Sequence, residues 1–234
     1  MMTRFKYASF SIFFVFLLSI VPCSSFAVEN APPPKQPNNQ ENTAQTTEED
    51  NIVYPELNDI IIGSDKAPIM LVEYSSINCT HCAHFRHEAI KVLRERYIET
   101  GKVQMVYRHF PLDYPAVEYM SIVAQQPQEK WPELLDIAYE RQEDWLGHPI
   151  EKLGEILGIS AKDCKKAVAC EETKGLIMAK RFNAEKVVDI QATPTFHLFY
   201  TEKGVEKSLL INEGISPKDL FKQLDQLLEK ADRA

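Results

Sequence analysis

The run Ile69-Met70-Leu71-Val72-Glu73-Tyr74 constrains this chain more than any other stretch. It is almost continuously apolar and of strand length, which fits a strand buried on both faces, as in the middle of a parallel sheet. Asn78 follows as a candidate cap for a helix starting at Cys79. Cys82, Phe85, Ala89, Leu93 and Tyr97 then recur at spacings of three and four, one helical face, and Gly101 ends the helix. Val103-Gln104-Met105-Val106-Tyr107 reads as the next strand. Strand, helix and strand within about 40 residues make a βαβ unit.

Around this unit the remaining elements fall into order. Asp59-Ile60-Ile61-Ile62-Gly63 predicts a short strand closed by a turn. The segment after Tyr107 lacks a strand signal for some 80 residues and looks helical, with pieces at Pro132–Gln142, Pro149–Leu157, a capped start at Ser160 with Asp163, and Glu171–Val187. Thr195-Phe196-His197-Leu198-Phe199-Tyr200 and Leu209-Leu210-Ile211 are two further strands, joined by a turn at Gly204. Ser216-Pro217-Lys218-Asp219 opens a last helix whose stripe is Leu220, Leu224, Leu227 and Leu228. The order is β-β-α-β, a helical block, then β-β-α.

The N-terminus reads as a targeting segment. Arg4 and Lys6 precede an uncharged apolar run from Phe10 to Ile20, too short for the roughly 20 residues of a spanning helix. Ser25-Phe26-Ala27 offers small residues for cleavage after Ala27, so residues 1–27 are expected to be a signal peptide and the protein periplasmic. A retained anchor, or lipidation at Cys23 despite Pro22, are the alternatives. Residues 28–56 are rich in Pro, Asn, Gln, Thr and Glu, and are expected to be a disordered tether. With a net charge of −8 the chain has no basic footprint, which argues against nucleic acid as a partner.

Cys79-Thr80-His81-Cys82 stands where redox chemistry is best supported: a C-x-x-C at a helix start just past a buried strand. The first N–H groups of a helix lack intrahelical partners and the helix dipole is positive there, so both favour a Cys79 thiolate. His81 can add positive charge or a donor. Cys82 begins the apolar stripe and should lie deeper. A structural disulfide or half a zinc site is the alternative, but zinc needs further ligands, and His84 and His87 diverge from the Cys79 face of one helix. No metal and no cofactor are expected. Oxidising compartments permit disulfides, and loss of the leader leaves an even four of the five cysteines, so Cys164 and Cys170 are candidates for a second pair. On one unbroken helix they would sit about 9 Å apart along the axis, beyond the roughly 7 Å reach of a disulfide. Pairing therefore requires the helix to end between them, near Ala169; otherwise they are two separate buried thiols.

Glu73 six residues before Cys79, the Cys79–Cys82 motif, Arg108-His109-Phe110-Pro111-Leu112 and Thr193-Pro194 before a strand together resemble the DsbA-like proteins of the thioredoxin superfamily, over about residues 57–232. The resemblance implies an α/β thioredoxin fold, at 57–112 and 190–234, with an inserted α-helical domain at 113–189. It implies a cis Thr193-Pro194 bond facing the cysteines, a buried acid Glu73 with a raised pKa beneath Cys82, and a non-catalytic disulfide in the helical domain, Cys164 to Cys170. His81 matches the histidine of the family's usual Cys-Pro-His-Cys, whereas Thr80 replaces its proline, and threonine before the cis proline is common in the isomerases. The implied activity is a protein dithiol oxidase acting on exported proteins with free cysteines and reoxidised by a quinone-linked membrane partner of DsbB type. An isomerase or reductase of the same fold, or a peptide-binding holdase with passive cysteines, are the competing readings. The Pro/Asn/Gln-rich N-terminal segment carries no heptads, which favours a monomer.

Overall fold

A computed structural model of the chain describes residues 59–212 and 214–231. The expected signal peptide and tether lie outside the described residues. Five strands form one mixed sheet in the order β1-β3-β2-β4-β5: β1 Ile60–Ile62, β2 Ile69–Ser75, β3 Val103–His109, β4 Thr195–Glu202 and β5 Val205–Ile211. The apolar run becomes β2, the central strand. It pairs in parallel with β3, Ile69 opposite Val103 through Ser75 opposite His109, and antiparallel with β4, Ile69 opposite Tyr200 through Tyr74 opposite Thr195.

Parallel pairing of β2 and β3 requires a crossover, and helix α1 (Thr80–Leu93), continued by a wider π-helical turn at Arg94–Ile98, supplies it. Side chains alternate across a strand, so β2 serves two cores. Ile69 and Leu71 pack with Phe85, Ala89 and Leu93 of α1 and with Leu220, Leu224 and Leu227 of the last helix, α8 (Pro217–Ala231). Val72 and Tyr74 face the other way, toward Ala184 and Val188. Glu73 shares the α1 side with Ile69 and Leu71, which fixes what it meets.

Between β3 and β4 the chain forms α2 (Tyr114–Ala124), α3 (Trp131–Glu140), α4 (Gln142–Trp145), α5 (Glu151–Ile156), α6 (Ala161–Val168) and α7 (Glu171–Val187). The expected pieces correspond to α3 to α7, with Pro132–Gln142 divided at Arg141. Helix α2 was not among them. Asp113 caps it by accepting the Ala116 N–H at 2.9 Å, but Ala116, Val117, Met120, Ser121, Ile122 and Val123 are all buried, so the segment shows no polar face to reveal a helical period. Strand β5 is longer than its apolar core Leu209–Ile211. Lys203 and Gly204, at φ 52° and 76°, form a two-residue hairpin turn that carries the pairing down to Glu202 opposite Val205.

Candidate active site

Strand β2 ends at Ser75 and α1 begins at Thr80, so both cysteines sit on the strand-to-helix corner. The helix starts one residue later than the Asn78 cap predicts. Cys79 is itself the N-cap, in extended conformation, and its sulfur accepts the Cys82 N–H at 3.2 Å. Asn78 is occupied elsewhere: its amide donates to both carboxylate oxygens of Asp113, at 2.9 and 3.1 Å, and it accepts from Ser76 Oγ at 2.7 Å. No acidic residue stands in the first turn of α1 to oppose an anion. Thr80 and His81 are exposed on that turn.

Cys79 is 8% exposed and Cys82 fully buried, and both carry free thiols. The Thr193-Pro194 bond is cis, and at the start of β4 it brings the Thr193 carbonyl over Cys79, whose thiol donates to it at 3.4 Å. The two thiols have opposite acidities. Cys79 is lowered from 9.0 to about 6: the hydrogen bond with the Cys82 thiol lowers it most, burial opposes this, and the Thr193 side chain and the N–H groups of Cys82 and His81 lower it further. Cys82 is pushed far up, by burial first and then by Cys79 beside it. The outer sulfur is thus held as the anion and the inner one as the thiol.

Glu73 is completely buried, so it does not reach solvent. Its carboxylate is paired, which the sequence did not show. Arg86, also buried, donates to Glu73 Oε2 at 2.7 Å and to Asp136 Oδ1 of α3 at 2.8 Å. The guanidinium lies 5.1 Å from the ring centre of Tyr139 and 5.8 Å from that of Tyr107. The two tyrosine hydroxyls are 3.2 Å apart, Tyr139 contacts Ser75 Oγ at 2.9 Å, and Tyr107 reaches His109 Nδ1 at 3.1 Å. Burial drives the His109 pKa down to about 3, so its ring is neutral at physiological pH. Sequence reasoning missed Arg86, Tyr107 and Tyr139 as parts of this site. The one local signal was Arg86 itself, a charge inside an apolar helical face four residues after Cys82.

The expected Cys164–Cys170 bridge is not formed. The helix does end between them, at Ala169, but Cys164 carries a free, fully buried thiol. Its sulfur turns toward α5, where a Cβ on Gly154 would fall 2.2 Å from it. The Cys170 sulfur faces α2 and α7, accepting from Thr173 Oγ1 at 3.2 Å and Gln125 Nε2 at 3.6 Å. The helix ends between them, yet the two sulfurs face different helices, and Cys170 is disulfide-bonded while Cys164 is free. His84 and His87 are exposed on α1, with His84 3.7 Å from Glu88.

This arrangement can exchange disulfides. A stabilised thiolate stands near the surface, a second thiol lies beside it, and the Thr193 carbonyl borders the outer sulfur. The family model described as Thioredoxin matches residues 56–212. A Rickettsia felis protein named for protein-disulfide oxidoreductase activity is 30% identical over 192 residues, covering 74% of this chain and 63% of that one. The chain thus spans less than two thirds of the length of its Rickettsia relatives. A Bacillus anthracis protein named for disulfide bond formation is 26% identical over 152 residues, covering 58% of this chain and 68% of that one. The crystal structure of Wolbachia pipientis alpha-DsbA1 superimposes with a TM-score of 0.67 at 24% identity, over 76% of this chain and 94% of that one. With the family model matching more than half its length and the DsbA architecture in its fold, the chain belongs to the thioredoxin family.

Proposed function

We propose that this protein is an exported thiol:disulfide oxidoreductase that donates the Cys79–Cys82 disulfide to cysteine pairs of exported, folding proteins. The observation that carries the reading is the Cys79 sulfur at the N-cap of α1, where the Cys82 thiol beside it and the Cys82 N–H at 3.2 Å lower its pKa to about 6. A substrate thiolate attacks Cys79 of the oxidised pair. The Cys79–Cys82 bond breaks, Cys82 leaves with the electron pair and takes up a proton, and a mixed disulfide remains. A second substrate thiolate then attacks the substrate sulfur, and Cys79 leaves as its stabilised thiolate. The substrate has lost two electrons and two protons, and the pair is reduced.

Direction follows from the same contact. Whatever stabilises the Cys79 thiolate stabilises the reduced protein and makes the disulfide more oxidising. That supports an oxidase over a reductase. Reoxidation falls to a quinone-linked membrane protein of DsbB type, and the apolar leader and oxidising compartment point to the periplasm. No described helix is long and apolar enough to cross a membrane.

The test is the reduction potential of the Cys79–Cys82 couple, with oxidation of a reduced model protein by wild type and Cys79→Ser. A potential well above that of thioredoxin (about −270 mV) and an inactive Cys79→Ser variant are expected. A thioredoxin-like potential points to a reductase, and efficient refolding of scrambled ribonuclease to an isomerase. Survival of client protection in Cys79→Ser without any disulfide transfer identifies a holdase.

A further inference from the structure

Residues 76–79 join β2 to α1; within this corner Ser76 O accepts the Cys79 N–H at 2.9 Å and Cys79 O accepts the Ala83 N–H at 3.1 Å, and a carbonyl oxygen has a second lone pair for a further donor. The helical block supplies further donors to these carbonyls. Ser76 O accepts from the Tyr139 hydroxyl at 2.9 Å. Gln142 Nε2 donates to Ile77 O at 2.9 Å and to Cys79 O at 3.2 Å, one amide engaging two carbonyls of the corner. Gln142 is 4% exposed and lies 63 residues beyond Cys79, on α4. Its placement is specific, because an amide carries two N–H donors on one nitrogen and no apolar side chain can replace them.

We propose that Gln142 is a positioning residue for the nucleophilic sulfur: by tying the Ile77 and Cys79 carbonyls together it fixes the corner that aims Cys79 Sγ at the Cys82 N–H. The inference rests on the functional reading of Cys79 given above. Hydrogen bonds from N–H to an anion weaken quickly as distance and angle degrade. A corner released from Gln142 lets the sulfur drift from the Cys82 N–H, and the thiolate loses stabilisation although no atom of the pair has changed. Gln142 touches neither sulfur, so its effect is transmitted through the backbone of Ile77 and Cys79.

The experiment follows the Cys79 thiolate absorbance of the reduced full chain from pH 4 to 8, taken as the difference from Cys79→Ser so that the other cysteines cancel, in a window where Cys82 and Cys164, both shifted upward, stay protonated. Gln142→Met removes the donors at similar length. It should raise the midpoint by about half a unit or more, which is about threefold less thiolate below the midpoint. Gln142→Asn, too short to reach both carbonyls, should give a smaller rise and decides the matter if the Met variant does not fold. Leu153→Ala, a fully buried position of the same helical block, serves as the control and should lower Tm without moving the midpoint. Folded Gln142 variants that titrate like wild type overturn this inference alone, as does an equal shift in Leu153→Ala. A wild-type midpoint near that of a free thiol overturns the functional reading and this inference with it.

Discussion

Arg86 and Glu73 form an ion pair at 2.7 Å, with 3% and 0% of their side chains exposed. A pair this deep recovers its desolvation cost only when complete, and removing one partner strands the other charge. Arg86→Met should therefore cost about 3–5 kcal/mol. Glu73→Gln should cost less, because Arg86 keeps Asp136. The double variant Glu73→Leu, Arg86→Met should recover most of the loss, since Asp136 retains Arg94. Urea unfolding of the four proteins checks this. An Arg86→Met cost below about 1 kcal/mol, in the range of surface pairs, contradicts the buried-pair description.

The pH dependence of reactivity should follow Cys79. Alkylation of the reduced protein should rise through a midpoint near 6 and be about tenfold slower at pH 5 than on its plateau. The folded value lies below the ordinary 9.0, so the thiolate's stabilisation of the reduced protein is complete above pH 9 and is lost as pH falls toward 6. Cys82 is shifted the other way and acts only above that window. Across pH 6–9 the Tm of the reduced form should gain on that of the oxidised form. A difference that stays flat across this window rules out the low Cys79 value.

Cys82 is the largest cause of that low value, ahead of Thr193 and the N–H groups of the turn. Cys82→Ala should thus raise the Cys79 midpoint from about 6 toward the ordinary thiol range. The same variant, incubated with an oxidised substrate, should accumulate a mixed disulfide at Cys79, because the resolving thiol is gone. Mass spectrometry detects the adduct. Normal turnover by Cys82→Ala excludes a two-cysteine mechanism.

Gly154 and Cys164 share one space. A Cβ on Gly154 would lie 2.2 Å from Cys164 Sγ and 3.1 Å from Ile159 O. Gly154→Ala should destabilise the protein by about 1–3 kcal/mol, as overpacking does. Adding Cys164→Ala should restore part of this, since the backbone oxygen remains. Cys164 itself should resist thiol reagents until denaturant is added. Rapid labelling of Cys164 in the native protein contradicts its burial.

Several features were legible because they are local. The βαβ unit showed in the period of its apolar residues and the redox pair in its spacing at a helix start, whereas the cis Thr193-Pro194 bond was implied only by the family resemblance. Residues this close in sequence are fixed relative to one another as soon as the helix or strand forms. The tertiary structure alone decided what surrounds them. Asp136 on Arg86, Tyr139 on Ser76, Gln142 on Ile77 and Cys79, and the separate directions of Cys164 and Cys170 depend on how the helices of the inserted segment dock. A periodic pattern states which face of a helix is buried, but not which residue of another element it will meet. That is set by packing, where separations of more than 60 residues close to hydrogen-bond distance.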